Sequence, residues 1–274
     1  MSIKKILFPI IVIIIIVAAF FGFTYRNQIA IKLGLKNNYF NFFTQNRVSE
    51  VSIQSVRDPS FKILVTQPSE IQNIYKILSS AKVVKEKSTL SPDYTVTISE
   101  GTESQTYDYV VDGDNGNFYR GNEYFHLSRR LDSSIIQNLT FIQQPRDFNV
   151  IYYGSILDVL KKAEPMLTSG NHTVGVNLSN DYLCNKFLLS SDINDFLLSA
   201  RKIVPNIQLV NQNSNDFDIV VNVKCYGFNT KVFKTIITIN DQQDNTEKAY
   251  YVQGNYDQGW DIKVYDQMPQ SWNS

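Results

Sequence analysis

The longest apolar run in the chain is "ILFPIIVIIIIVAAFFGF", residues 6–23, with no charged or strongly polar side chain. As a helix rising 1.5 Å per residue it spans roughly 27 Å, close to the hydrocarbon thickness of a bilayer. Pro9 falls in its first turns, where a missing amide proton matters least. The run predicts a transmembrane signal anchor over 6–24, with 1–5 as a cytoplasmic tail and 25–46 as a stalk. A cleaved signal peptide is the alternative. Val17-Ala18-Ala19 has suitably small residues, but Phe20-Phe21-Gly22-Phe23 after it stays apolar. Lys4 and Lys5 precede the run and Arg26, Lys32 and Lys36 follow it, so the positive-inside bias is small. A short tail before a long apolar stretch still favours the N-terminus inside and the remainder extracytoplasmic.

Beyond the stalk, the pattern changes to short amphipathic elements that recur. Ile71, Ile74, Tyr75 and Leu78 fall at i, i+3, i+4 and i+7, and Ile193, Phe196, Leu197 and Ala200 repeat that spacing 122 residues later. Each set predicts a helix with one apolar stripe. Polar clusters precede both, Thr66-Gln67-Pro68-Ser69-Glu70 and Ser190-Ser191-Asp192, and such side chains satisfy free amide protons at a helix start. Short apolar strands, "FKILV" and "NKFLL", come before them. Afterwards Tyr94, Val96 and Ile98 alternate with polar residues, as do Phe217, Ile219, Val221 and Val223, the period of half-buried strands. Further strands are expected near 105–112 and 117–127, and near 230–239 and 247–253. Ser155 to Leu167 reads as another helix.

The expected fold class is therefore α+β. An N-terminal transmembrane helix leads to two small domains of similar plan, at 47–142 and 147–274, each a helix packed on an antiparallel meander. "QQPRD" at 143–147 marks the boundary.

Charge removes one function class. The 26 basic and 26 acidic residues balance, whereas a nucleic-acid partner calls for surplus Lys and Arg against phosphates. Two cysteines, Cys184 and Cys225, lie in the second domain with no CxxC. In an oxidising compartment they could pair, closing a loop of about 40 residues worth roughly 3–4 kcal/mol. Two buried thiols are the other reading.

Three stretches carry residue types with chemical uses. "VVDGDNGNFYRGNEYFHL" holds Asp112, Asp114, Asn115 and Asn117, with Glu123 at the twelfth position, as in a calcium loop. That loop needs an oxygen ligand at its fifth position and Gly at its sixth. Here those positions are Gly116 and Asn117, and the flanks alternate like strands, so a turn is expected. Ser79-x-x-Lys82 and Ser199-x-x-Lys202 match a nucleophile motif, but both sit where helices should end and lack companion elements. The C-terminal stretch is aromatic, and Tyr256, Trp260 and Trp272 are candidates for a binding platform, with Trp272 the least suited to a core. His126 and His172 have no ligand-spaced partner. No catalytic, cofactor-binding or metal-binding set is expected, and hence no cofactor.

"VSIQSVRDPSFKILVTQPSEIQNIYKILSSA" followed by "PDYTVTI" resembles the small extracytoplasmic domain of certain uncharacterised Gram-positive lipoproteins and membrane-anchored proteins. Thr66, Ile71, Pro92, Asp93 and Tyr94 carry the resemblance, over roughly 48–140. It implies a Gram-positive cell-surface setting and brings no activity. The chain departs from it by lacking a lipidated Cys and by adding a second domain.

These features point to a membrane-anchored, extracytoplasmic, non-enzymatic binding or interaction module, held in the membrane through residues 6–24. Its expected partner is an envelope protein or glycan, not nucleic acid. The alternative is a bitopic structural subunit of a cell-envelope assembly for secretion, conjugation or sporulation. A third class is an envelope hydrolase with an unfamiliar site, which hydrolysis of envelope polymers by the soluble part, lost on mutating one acidic residue, would support.

Overall fold

The computed structural model describes Tyr25 and residues 36–272, apart from 46, 129, 132–143 and 212. The segment read as a membrane anchor, and half of the stalk, lie outside the described residues. Among the described residues no helix is long and apolar enough to cross a membrane. What is described is mixed α+β, with two sheets and three α-helices.

The first sheet is formed by β1 (Val48–Ser55), β2 (Lys62–Val65), β3 (Lys82–Val84), β4 (Tyr94–Glu100), β5 (Glu103–Tyr109), β6 (Phe118–Arg120) and β7 (Glu123–His126). Their order is β2-β1-β4-β5-β6-β7-β3, and every pairing is antiparallel. Period-two alternation sends Tyr94, Val96 and Ile98 inward, as expected. Helix α1 (Pro68–Ser79) buries Ile71, Ile74, Tyr75 and Leu78 on one stripe, with Pro68 pre-set for the first turn. It carries the chain from the edge strand β2 to the opposite edge strand β3. The predicted stalk is not all outside the domain, because the short 3-10 turn Asn41–Gln45 delivers Phe40 and Phe43 into this core. Phe43 stacks on Tyr75 with ring centroids 5.8 Å apart.

The second sheet comprises β8 (Val174–Asn177), β9 (Ile207–Leu209), β10 (Ile219–Phe228), β11 (Val232–Asp241), β12 (Thr246–Tyr256) and β13 (Trp260–Tyr265), ordered β13-β12-β11-β10-β8-β9. Helix α2 (Phe148–Leu167) packs over β11, β12 and β13. Helix α3 (Ser190–Ala200) packs beside it over β9. The predicted helix at 155–167 thus starts earlier, at Phe148, where Phe148, Ile151 and Tyr152 extend the apolar stripe.

Here the expected plan needs correction. The antiparallel meander exists as β10-β11-β12-β13, but β8 pairs with β10 and with β9 in parallel. All four residues of β8 are buried, as in strands covered on both faces, so it shows no alternation for a pattern reading to find. "NKFLL" is not a strand; Asn185–Phe187 forms a 3-10 turn. The two halves share a helix, one short strand and then a four-strand antiparallel meander, and differ in what precedes the helix and in how the short strand pairs.

Candidate functional site

The two halves meet at the "PDY" turn. Asp93 lies just before β4 and is 2 % exposed. Its Oδ2 accepts the Val111 amide at 2.8 Å, fixing it within the first sheet. Its Oδ1 accepts the Ser190 amide of the second half at 2.7 Å and Arg57 Nη1 at 2.9 Å. Arg57 Nη2 also donates to Ser190 Oγ at 2.7 Å, and Ser190 Oγ donates to Ser91 O at 2.7 Å. Burial pushes the Asp93 carboxyl above its ordinary range, opposed by the amides of Val111 and Ser190 and by the Arg57 charge. The next residue back, Leu189, packs against the first core.

This clamp frames a cleft. Two adjoining cavities, of about 370 and 350 Å³, share Arg57, Ser91, Ile193, Leu209 and Asn211. The first half contributes a wall at Val56, Ser91 and Pro92; the second contributes Leu178, Leu188 and Val210. Leu197, Asn194, Gln208 and Arg201 extend the cleft along α3. Apolar side chains of Ile193, Leu197 and Leu209 line it beside the amides of Asn194, Gln208 and Asn211 and the exposed Arg201 guanidinium, while Arg57 is held by Asp93 and Ser190. Clefts of this size between units are common ligand sites.

The aromatic candidates are not gathered into an open platform. Trp272, expected to be the least buried, is 4 % exposed. It stacks on Tyr226 at 5.1 Å between ring centroids, and its indole donates to Gln253 Oε1 at 2.7 Å. The hydrogen bond gives the ring a reason to fold back that spacing alone does not reveal. Tyr256 and Trp260 meet edge to face at 5.2 Å, with Arg146 over Tyr256 and the Trp260 indole bonded to Arg146 O. They fasten the start of α2 to β12 and β13.

The acidic stretch from Asp112 to Asn117 forms the connection between β5 and β6, with strands on both flanks. Asp112 and Asn115 take positive φ, of 52° and 55°. Asp112 pairs with Arg130, and buried Asn117 holds Leu127 by a two-way bond. His126 Nδ1 lies 2.6 Å from Asn115 O. Ser79 and Ser199 sit at the ends of α1 and α3, their hydroxyls donating to carbonyls of their own helices.

Cys184 and Cys225 are both buried and unbridged, with their side chains in contact. Asp181 joins them: its carboxylate and the two sulfurs lie within 4.8 Å of one another. Sequence reasoning missed Asp181, Arg57 and Ser190 as partners across the fold. The Asp181-x-x-Cys184 spacing was the one available signal, because it places two donors on a single turn.

The class defined so far is a two-part α+β protein with a cleft at the junction. A family model described as "YhfM protein" matches residues 44–145, the part holding the first sheet. No curated protein and no solved structure matches the chain.

Proposed function

We propose that the chain is a membrane-anchored, extracytoplasmic binding module that takes an envelope protein or glycan segment into the junction cleft, without catalysing a reaction. The observation that carries this is the cleft itself: apolar side chains of Ile193, Leu197 and Leu209 beside Asn211, Gln208 and Arg201. Such a surface suits a ligand with an apolar face and hydrogen-bonding or anionic edges. Among the described residues no acidic side chain lines the two cavities, and Asp93 in the clamp beside them is taken up by three donors, which supports a holding role. The apolar run at 6–24 supports the anchor, and the resemblance over 48–140 supports a Gram-positive cell surface.

The test is a photo-crosslinking residue at Gln208 or Asn211 in the full-length protein in cells, followed by mass spectrometry. Expected is one reproducible envelope partner, weakened by Arg201→Glu. Equal crosslinking to many species from both positions, unaffected by that change, would overturn the cleft as the binding surface. Exchange of residues 6–24 for an unrelated anchor separates this reading from a structural subunit, for which the anchor's own sequence is required.

A further inference from the structure

The buried cluster behind the cleft has a chemistry that the binding reading does not use. Asp181 and Cys184 sit three residues apart on the turn after β8. The Cys184 amide donates to Asp181 O at 3.0 Å, and Phe187 N donates to Cys184 O at 2.8 Å. Cys225 arrives from β10, where pairing slips between Cys225 and Gly227. A bulge at this point re-aims the neighbouring side chains. The three residues are 0 %, 0 % and 3 % exposed.

Three buried oxygens around the cluster lack hydrogen-bond partners: Asp181 Oδ2, Tyr152 Oη and Asn185 Oδ1. The Tyr152 hydroxyl faces the Asp181 carboxyl, and Asp181 Oδ1 accepts the Cys184 amide at 3.3 Å, which leaves Oδ2 as the oxygen with no partner inside hydrogen-bond limits. A buried carboxylate with an unpartnered oxygen is strongly disfavoured unless a cation or proton meets it. A disulfide between the two sulfurs would leave that oxygen as it is.

We propose that Asp181, Cys184 and Cys225 form a binding site for a thiophilic divalent cation, with zinc as the best match. Thiolate sulfur and carboxylate oxygen are both zinc donors, and three of the usual four stand together here. With zinc–sulfur bonds near 2.3 Å, tetrahedral donors lie roughly 3.8 Å apart. The observed separations, all within 4.8 Å, reach that by adjustments of about an ångström. Binding forms two zinc–sulfur bonds and one zinc–oxygen bond and releases the two thiol protons to solvent. Tyr152 then stands behind the carboxylate and orients it, while the Lys186 charge acting on Cys184 offsets the surplus negative charge. Entry is through the turn, whose intervening residues Tyr182 and Leu183 are exposed.

The experiment uses the full-length chain, stripped with chelator under reducing conditions and then titrated with Zn²⁺ against a colorimetric competitor. Bound metal is measured by elemental mass spectrometry. Expected is one zinc per chain, lost in Cys184→Ser and Cys225→Ser and weakened in Asp181→Asn. Tyr152→Phe should bind about tenfold more weakly and keep the parent circular dichroism. Should the cysteine variants fail to fold, the parent stoichiometry and Tyr152→Phe still decide the matter. No zinc uptake by the reduced parent, unchanged affinity in Asp181→Asn, or a zinc-free protein lighter by two hydrogens in cells would each overturn the site.

Discussion

Asp93, just before β4 in the first half, caps the helix that begins at Ser190 in the second half, with 2.7 Å between Oδ1 and the Ser190 amide. The residue at that helix's own cap position is Leu189, which has no side-chain acceptor. The capping group is therefore borrowed from the other half of the molecule. Replacing Asp93 by Ala strands two buried amides and the Arg57 guanidinium. Removing one partner of such a buried pair costs about 3 kcal/mol or more. Chemical denaturation should show this, with the loss of protection in hydrogen exchange greatest at the first turn of α3.

Gly116 is required by space. A Cβ there would lie 2.8 Å from Glu86 O and 2.8 Å from the Tyr124 Cβ, neither of which can rotate away. Gly116→Ala should therefore destabilise by about 2 kcal/mol through overpacking. Gly227→Ala is the control, since nothing lies within 4 Å of its Cβ position. Its denaturation midpoint should stay near the parent's.

Trp272 should behave as a core residue. Trp272→Ala removes the stack on Tyr226 and leaves Gln253 Oε1 without its donor, at a cost of about 3 kcal/mol. Quenching of tryptophan fluorescence by an added ion should be weaker in the parent than in a chain cut after Met268.

Asp218 ties the start of β8 to β10. It accepts Thr173 N at 2.7 Å, Thr173 Oγ1 at 2.9 Å and Gln243 Nε2 at 2.8 Å. The Thr173 amide, then the Thr173 hydroxyl and Gln243, hold its carboxyl below the ordinary 3.8. A depressed carboxyl stabilises the fold above the unfolded value and loses that contribution as pH falls through the folded one. Asp218→Ala should thus melt earlier than the parent at pH 7. The gap should close only below pH 3.8, when melting curves are compared across the acid range.

The elements legible in the sequence were those whose pattern is local. The stripe Ile71/Ile74/Tyr75/Leu78 is buried as its spacing required, and so are Ile193, Phe196 and Ala200 of the second, whose fourth member Leu197 is half-buried at the cleft. The alternation over Tyr94–Ile98 holds as well. Strand β8 was missed because burial on both faces erases alternation. The strand expected at 185–189 is a 3-10 turn because Asp181 O takes the amides of Cys184 and Asn185 into a tight bend. Asp93 could be seen as a strand-start residue but not as a cap, because Ser190 is its neighbour only after both halves have folded. The same distance in sequence hid Cys225 from Asp181.

The course of α1 has a consequence for the order of assembly. Strands β2 and β3 are separated by one helix in the chain, yet they stand at opposite edges of the first sheet. Neither can pair with the other. β3 waits for β7, and β1 waits for β4 on its inner side. The hairpins β1-β2, β4-β5 and β6-β7 close short loops and can form early. Docking the β1-β2 hairpin on β4, and β3 on β7, closes long loops, which is the slower step. The sheet should grow outward from its middle, with the residues that arrive first from the N-terminal side among the last to find their places.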